Sequence, residues 1–132
     1  MLDYSEITSK ISPKYLEEIM ERIKKSVPGV QALSLNTREG LPVASVQITT
    51  VDDALLSAMS ATIHAVSEKA IIELQSGDLE AIIVQGATNY IMLISVGSHA
   101  VLTVLANKEA QIGLLHLVLI KIVEEIAQKI EN

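Results

Sequence analysis

The stretch VDDALLSAMSATIHAVSEKAIIELQ, residues 51–75, decides how the rest of the chain is read. It reads as one long helix with strands before and after it. Placed at 100° per residue, it carries two apolar stripes rather than one. Leu55, Met59, Ile63, Val66, Ala70 and Leu74 form the first, mostly large side chains suited to covering the chain's own sheet. Ala54, Ala58, Ala61 and Ala65 form the second, continued by Ile72. Ser57, Ser60, His64, Ser67 and Glu68 fill the remaining, polar face. The alanine row has two readings. Alanine is the best helix former, so propensity alone accounts for it; or the small side chains let another backbone come close, most simply that of a second copy of the chain.

Composition narrows the setting. A chain of 132 residues suits one domain with one core. Hydrophobic residues make up 49 % and aromatic ones only 2 %, so aliphatic side chains must build the interior. A mean hydropathy of +0.40 is high for so small a domain, which places some of the apolar surface in an interface. No apolar run approaches the roughly 18–20 residues a membrane-spanning helix needs. The nearest, residues 112–120, contains His116 and is too short. The first ten residues carry Asp3 and Glu6 and no hydrophobic signal region. A net charge of −6 disfavours nucleic acid, which needs a basic face. The absence of cysteine excludes disulfides and thiolate metal sites and fits a cytoplasmic setting.

Residues 1–11 read as a flexible lead-in and residues 12–132 as a single domain. Ser12-Pro13 starts a helix to about Lys25, because serine caps free amides and proline is tolerated at the first helical position. Its buried stripe is Tyr15, Ile19 and Ile23, with Leu16 and Met20 beside it. Pro28-Gly29 stops it. Residues 30–36 alternate as a strand, Ala32, Ser34 and Asn36 on one face and Leu33 and Leu35 on the other. Thr37-Arg38-Glu39-Gly40 is a hairpin turn with glycine at the left-handed position. Residues 41–49 return as a second strand, whose Pro42 places it at the sheet edge. Thr50 is positioned to cap the central helix, with Asp53 completing a capping box. Ser76-Gly77-Asp78 ends that helix. Strands at 79–85, 90–96 and 100–106 follow, joined by hairpin-length loops, so this meander is antiparallel. These strands are apolar on both faces, and helices must cover both. Asn107 or a neighbour starts a last helix to about Lys129, buried along Leu115, Leu119, Ile122, Ile126 and Ile130, with Val118 and Val123 beside them. The fold class is α+β, in the order α-β-β-α-β-β-β-α: a five-stranded antiparallel sheet with the long helix on one face and two helices on the other.

No catalytic constellation emerges. There is no phosphate loop, no dinucleotide fingerprint and no nucleophile elbow. His64, His99 and His116 are far apart, and only His64 has a helical neighbour of ligand type, Glu68, which reads as a solvated pair rather than a metal site. The adjacent acids Glu17-Glu18, Asp52-Asp53 and Glu124-Glu125 diverge by about 100° on a helix and read as solvated or capping groups. Arg38, in the hairpin turn, is the one exposed-loop arginine that could serve a GTPase as an arginine finger; the plainer reading is a turn residue. No cofactor, no metal ligand and no enzymatic activity are expected.

Several local patterns, taken in order, resemble the Roadblock family of dynein light chains, late-endosomal scaffold adaptors and bacterial GTPase-regulating polarity proteins. They are Val27-Pro28-Gly29-Val30; Gly40-Leu41-Pro42-Val43-Ala44-Ser45; the alanine-rich helix after Asp52-Asp53; Ile82-Ile83-Val84-Gln85-Gly86 running into Tyr90; and Asn107-Lys108-Glu109-Ala110-Gln111-Ile112-Gly113-Leu114-Leu115. The resemblance spans residues 13–130. It implies a dimer, with an identical chain or a paralogous Roadblock chain, in which central helices pack side by side and third strands pair at their edges. Ala54, Ala58, Ala61, Ala65, Ile72, Ala81 and Ile83 are then the interface residues. The strand at 79–85 would otherwise be an apolar edge, which proteins normally avoid leaving open. The resemblance further implies a non-enzymatic module that binds and regulates a small Ras-like GTPase; the polar ridge Ser57, Ser60, His64, Ser67 and Glu68, which would lie near the dimer axis, is the candidate contact surface from its position alone. The alternative is a structural adaptor in a motor or scaffold assembly without effect on nucleotide turnover. A profilin-like sensor or enzyme is a third class, which the lack of polar pocket residues argues against. Neither nucleic acid nor membrane insertion is expected.

Overall fold

The computed structural model describes residues 2–47 and 52–132. The elements are α1 (Tyr4–Thr8), α2 (Pro13–Ser26), β1 (Val30–Thr37), β2 (Pro42–Gln47), α3 (Asp53–Glu73), β3 (Ile82–Gln85), β4 (Asn89–Val96), β5 (Ala100–Asn107) and α4 (Ile112–Glu131). The five strands form one antiparallel sheet in the order β2-β1-β5-β4-β3. This is the α+β layer fold expected from the sequence, with β2 and β3 at opposite edges.

Local signals set most boundaries. Ser12 accepts the Tyr15 amide 3.1 Å away and Pro13 opens α2. Gly40 takes φ +98 in the β1–β2 turn, where a residue with a Cβ would be strained. The expected capping residue Thr50 lies outside the described residues. Asp52 caps α3, its carboxylate accepting the amides of Ala54 and Leu55. Asp53 is therefore the first helical residue, and its carboxylate accepts the Ser45 hydroxyl at 2.8 Å. The C-terminus of α3 closes in a Schellman motif: Ser76 N–H reaches the Ile71 carbonyl and Gln75 N–H the Ile72 carbonyl. The left-handed residue there is Gln75, at φ +52. The third strand is shorter than expected, because pairing with β4 begins only at Ile82. Asn107 does not cap α4. It closes a turn by accepting the Glu109 amide, and the helix begins after Gln111.

The two faces of the sheet differ in kind. Leu33 and Leu35 lie opposite Val104 and Leu102, which lie opposite Met92 and Ile94, so all six share one face. Leu16, Ile19, Met20 and Ile23 of α2, and Leu115, Leu119, Ile122, Ile126 and Ile130 of α4, cover it in one aliphatic core. The lead-in expected at residues 1–11 contributes to this core. Asp3 and Glu6 form a reciprocal capping box that folds α1, and Ile7 and Ile11 are buried against the sheet. His99 ties both ends to the β4–β5 turn. Its Nδ1 accepts the Leu2 amide and its Nε2 faces a Glu131 carboxylate oxygen at 3.1 Å. Helix α3 lies on the other face, over β1, β2 and β5.

Candidate interaction surface

Helix α3 sits on the sheet with its polar face inward. Ser57, Ser60 and His64 are 0 %, 2 % and 3 % exposed, while Leu55, Val66 and Leu74 are 57 %, 66 % and 73 % exposed. Both assignments made from sequence for these faces are corrected. The large apolar stripe of Leu55, Met59, Val66 and Leu74 does not cover the chain's own sheet. The serine and histidine ridge is not a wet contact surface.

The reason lies in the sheet. Strand residues on the α3 side include Ser34 and Asn36 from β1, Thr103 from β5 and Ser95 from β4, in register with one another or with Val101 and Leu93. Buried polar groups need polar neighbours, and burying one without a partner costs about 1–3 kcal/mol. A serine-rich helix face meets that need. Thr103 donates to Ser60 at 2.9 Å, and His64 Nε2 lies 2.6 Å from the Ser95 hydroxyl. The match is incomplete: Ser34 Oγ, Ser57 Oγ and Asn36 Oδ1 are buried with no partner among the described residues. Burial lowers the His64 pKa, the nearby Arg38 charge lowers it further, and Glu68 opposes both. The imidazole is therefore kept neutral at physiological pH.

Small residues set how closely the β1–β2 turn rests on α3. A Cβ at Gly40 would stand 3.3 Å from the Ala61 Cβ and 3.4 Å from the Ala58 Cα. The backbone admitted by these alanines is that of the chain's own turn, and Ala61, 8 % exposed, has little surface left to share. Ala54, Ala58, Ala65 and Ile72 remain exposed, Ala81 is half-buried, and Ile83 is exposed on the β3 edge. Arg38, in that same turn, forms an ion pair with Glu68 and is mostly covered, so it is held against the helix rather than extended from a loop. Ser67 and Glu68 are the members of the polar face that reach solvent.

The exposed apolar side of α3 is continuous with an uncovered part of the sheet. Val84 pairs with Ile91, which pairs with Leu105, on the α3 side but beyond the helix. A recess of about 200 Å³ between Leu56 and Met59 of α3 and Ile91, Leu105 and Thr103 of the sheet opens there. Next to it runs β3, whose outer edge has no strand beside it among the described residues. Sequence reasoning located the α3 helix and the β3 edge but missed the role of Leu55, Met59 and Val66. The signal that could have found it was the polar set Ser34, Asn36, Ser95 and Thr103, which calls for a polar helix face. Among the described residues no cluster of His, Asp or Glu could hold a metal, and no helix is long and apolar enough to cross a membrane.

The sequence profile of the Roadblock/LC7 domain matches residues 16–106. The fold is similar to that of a Roadblock/LC7 domain from Streptomyces avermitilis, 18 % identical, covering 85 % of this chain and 94 % of that one, with a TM-score of 0.77. It is similar to MglB of Myxococcus xanthus, at 21 % identity, 83 % and 89 % coverage and a TM-score of 0.75. It is also similar to the gliding protein MglB of Thermus thermophilus, at 18 % identity, 90 % coverage of both chains and a TM-score of 0.79. No curated protein sequence matches the chain.

Proposed function

The chain belongs to the Roadblock/LC7 domain family, and from that premise we propose that it is a non-enzymatic, dimeric module that binds and regulates a small Ras-like GTPase. The observation that carries this reading is the exposed apolar side of α3, with Leu55, Met59, Val66 and Ile72, lying beside an unpaired, apolar β3 edge at Ile83 and Val84. Contiguous apolar surface of this kind marks an interaction site, and an open strand edge invites pairing. A second copy placed by a two-fold axis meets both needs at once: its own α3 packs on this one and its β3 pairs with this β3. Ala54, Ala58, Ala65, Ala81 and Ile83 then lie in or beside the interface.

The GTPase contact is assigned to Ser67 and Glu68 together with Arg38, which Glu68 holds in place. Ser57, Ser60 and His64 are excluded by their burial. Regulation needs no catalytic group from this chain, because a partner that favours one GTPase conformation shifts its activity by population. The test measures GTP hydrolysis and nucleotide exchange of Ras-like GTPases from the same organism, with and without the protein. A change in either rate of tenfold or more, reduced by Glu68→Arg, supports regulation. Tight binding with unchanged rates favours the adaptor role. Binding that survives Glu68→Arg unaltered removes the contact from this patch.

A further inference from the structure

Helix α4 carries a second apolar patch on the side away from its core. Leu114, Leu117 and Ile120 are 39 %, 64 % and 40 % exposed. At 100° per residue they spread about 60° to either side of Leu117, over about 9 Å of helix. Leu115, Leu119, Ile122 and Ile126 occupy the opposite, buried side. Gly113 belongs to the outer strip, and apart from its chain neighbours and the helix's own backbone nothing described lies within 4 Å of where its Cβ would be. It is the second residue of α4, and neither its backbone conformation nor any described neighbour requires a glycine there. It does allow a second backbone to approach. The helix also starts without a side-chain cap, since Gln111 makes no capping hydrogen bond. Three turns on, the same strip turns polar with the exposed residues Lys121, Glu124 and Gln128.

We propose that this α4 strip is a second, weaker self-association surface, on which α4 of another copy packs antiparallel about a two-fold axis through Leu117. In that register Leu114 lies opposite Ile120 of the other copy, and Gly113 lies opposite Lys121. Glu124 of each helix comes beside the uncapped start of its partner, where a carboxylate is favoured by the free amides and the helix dipole. Lys108 and Glu109, just before that start, offset each other in charge. The complementarity is between an apolar first half and a first half, and between an acid and a bare helix start, which is what an isologous contact demands. Three aliphatic side chains per copy fall well short of the surface of about 1,200 Å² that a stable interface buries in total. The contact therefore forms at high local concentration and links units already assembled through α3.

The chain has no cysteine, so single substitutions report the register directly. Under mild oxidation, Leu117→Cys should cross-link to itself at least tenfold faster than Gln128→Cys, which lies on the same strip but away from the axis. Leu114→Cys and Ile120→Cys should each cross-link slowly alone and rapidly when mixed. In sedimentation, the species heavier than the α3 assembly should appear near ~500 μM, be absent near ~10 μM, and be lost in Leu117→Glu. Equal cross-linking rates at 117 and 128 would overturn the proposal, as would heavy species unaffected by Leu117→Glu. These readouts do not depend on the α3 interface: Val66→Glu, which opens that interface, should leave the cross-link at position 117 intact.

Discussion

His64 Nε2 on α3 lies 2.6 Å from the hydroxyl of Ser95 on β4, with the imidazole buried and the serine half-buried. That contact joins the helix to the strand next to the β3 edge, and the tautomer of the ring sets which group donates. Burial holds the His64 pKa below its ordinary value, with Arg38 adding to the shift and Glu68 countering it.

The unfolded chain takes up a proton at this position near pH 6.5, while the folded chain resists it. The unfolded state then binds more protons, so stability falls as pH drops below about 6.5. His64→Gln, which keeps an amide near the Nε2 position, should show a flatter decline. Urea unfolding of both proteins between pH 7.5 and 5.5 measures this, and parallel profiles would refute the role given to His64.

Ser57 Oγ is fully buried with no partner among the described residues. Ser57→Ala removes the orphan hydroxyl without opening a large cavity. It should leave the fold intact and raise stability, by up to about 1 kcal/mol. Chemical denaturation gives the value directly, and a loss of more than about 1 kcal/mol would mean that the hydroxyl has a partner in solution.

Gly40 and Ala61 act as a pair. A Cβ at Gly40 would be strained by φ +98 and would press on the Ala61 methyl. Gly40→Ala and Ala61→Val should each destabilise by about 1–3 kcal/mol. The double substitution should cost more than the sum, because both intrude on one gap. Additive losses in the same unfolding assay would show that the turn does not rest on the helix there.

Gln75 occupies a left-handed position that glycine fills without strain. Gln75→Gly should stabilise α3 by about 0.5–1 kcal/mol, with slower amide exchange in its last turn. Unchanged exchange at Glu73 and Leu74 would contradict the Schellman ending.

The element order, the strand partners of the meander and the two sheet edges were legible because each rests on local signals: Ser12-Pro13, Gly40, Pro42 and short hairpin loops. The stripes of α2 and α4 were legible for the same reason, since each has one apolar face and one wet face. Helix α3 was not, because all its faces hold residues able to be buried, and the choice between them belongs to the sheet. Ser34, Asn36, Ser95 and Thr103 settle it, yet they lie on three strands whose shared face is visible only once the strand order β1-β5-β4 is known. The short α1 was missed because it buries one residue, Ile7, whose burial comes from tertiary contact rather than periodicity. At the interaction surface, the alanine row was read as admitting the backbone of a second copy, whereas the backbone beside Ala61 is that of Gly40 in the same chain.

The central claim is that the exposed apolar side of α3 and the β3 edge are covered by a second copy. The most direct measurement is the mass of the protein in solution at low micromolar concentration, by sedimentation or light scattering, for the wild type and for Val66→Glu. Val66 is 66 % exposed, so the substitution spares the core. The account predicts a stable dimer of two 14.3 kDa chains and a folded monomer for the variant. A wild-type monomer, or a variant that remains a full-strength dimer, would contradict it.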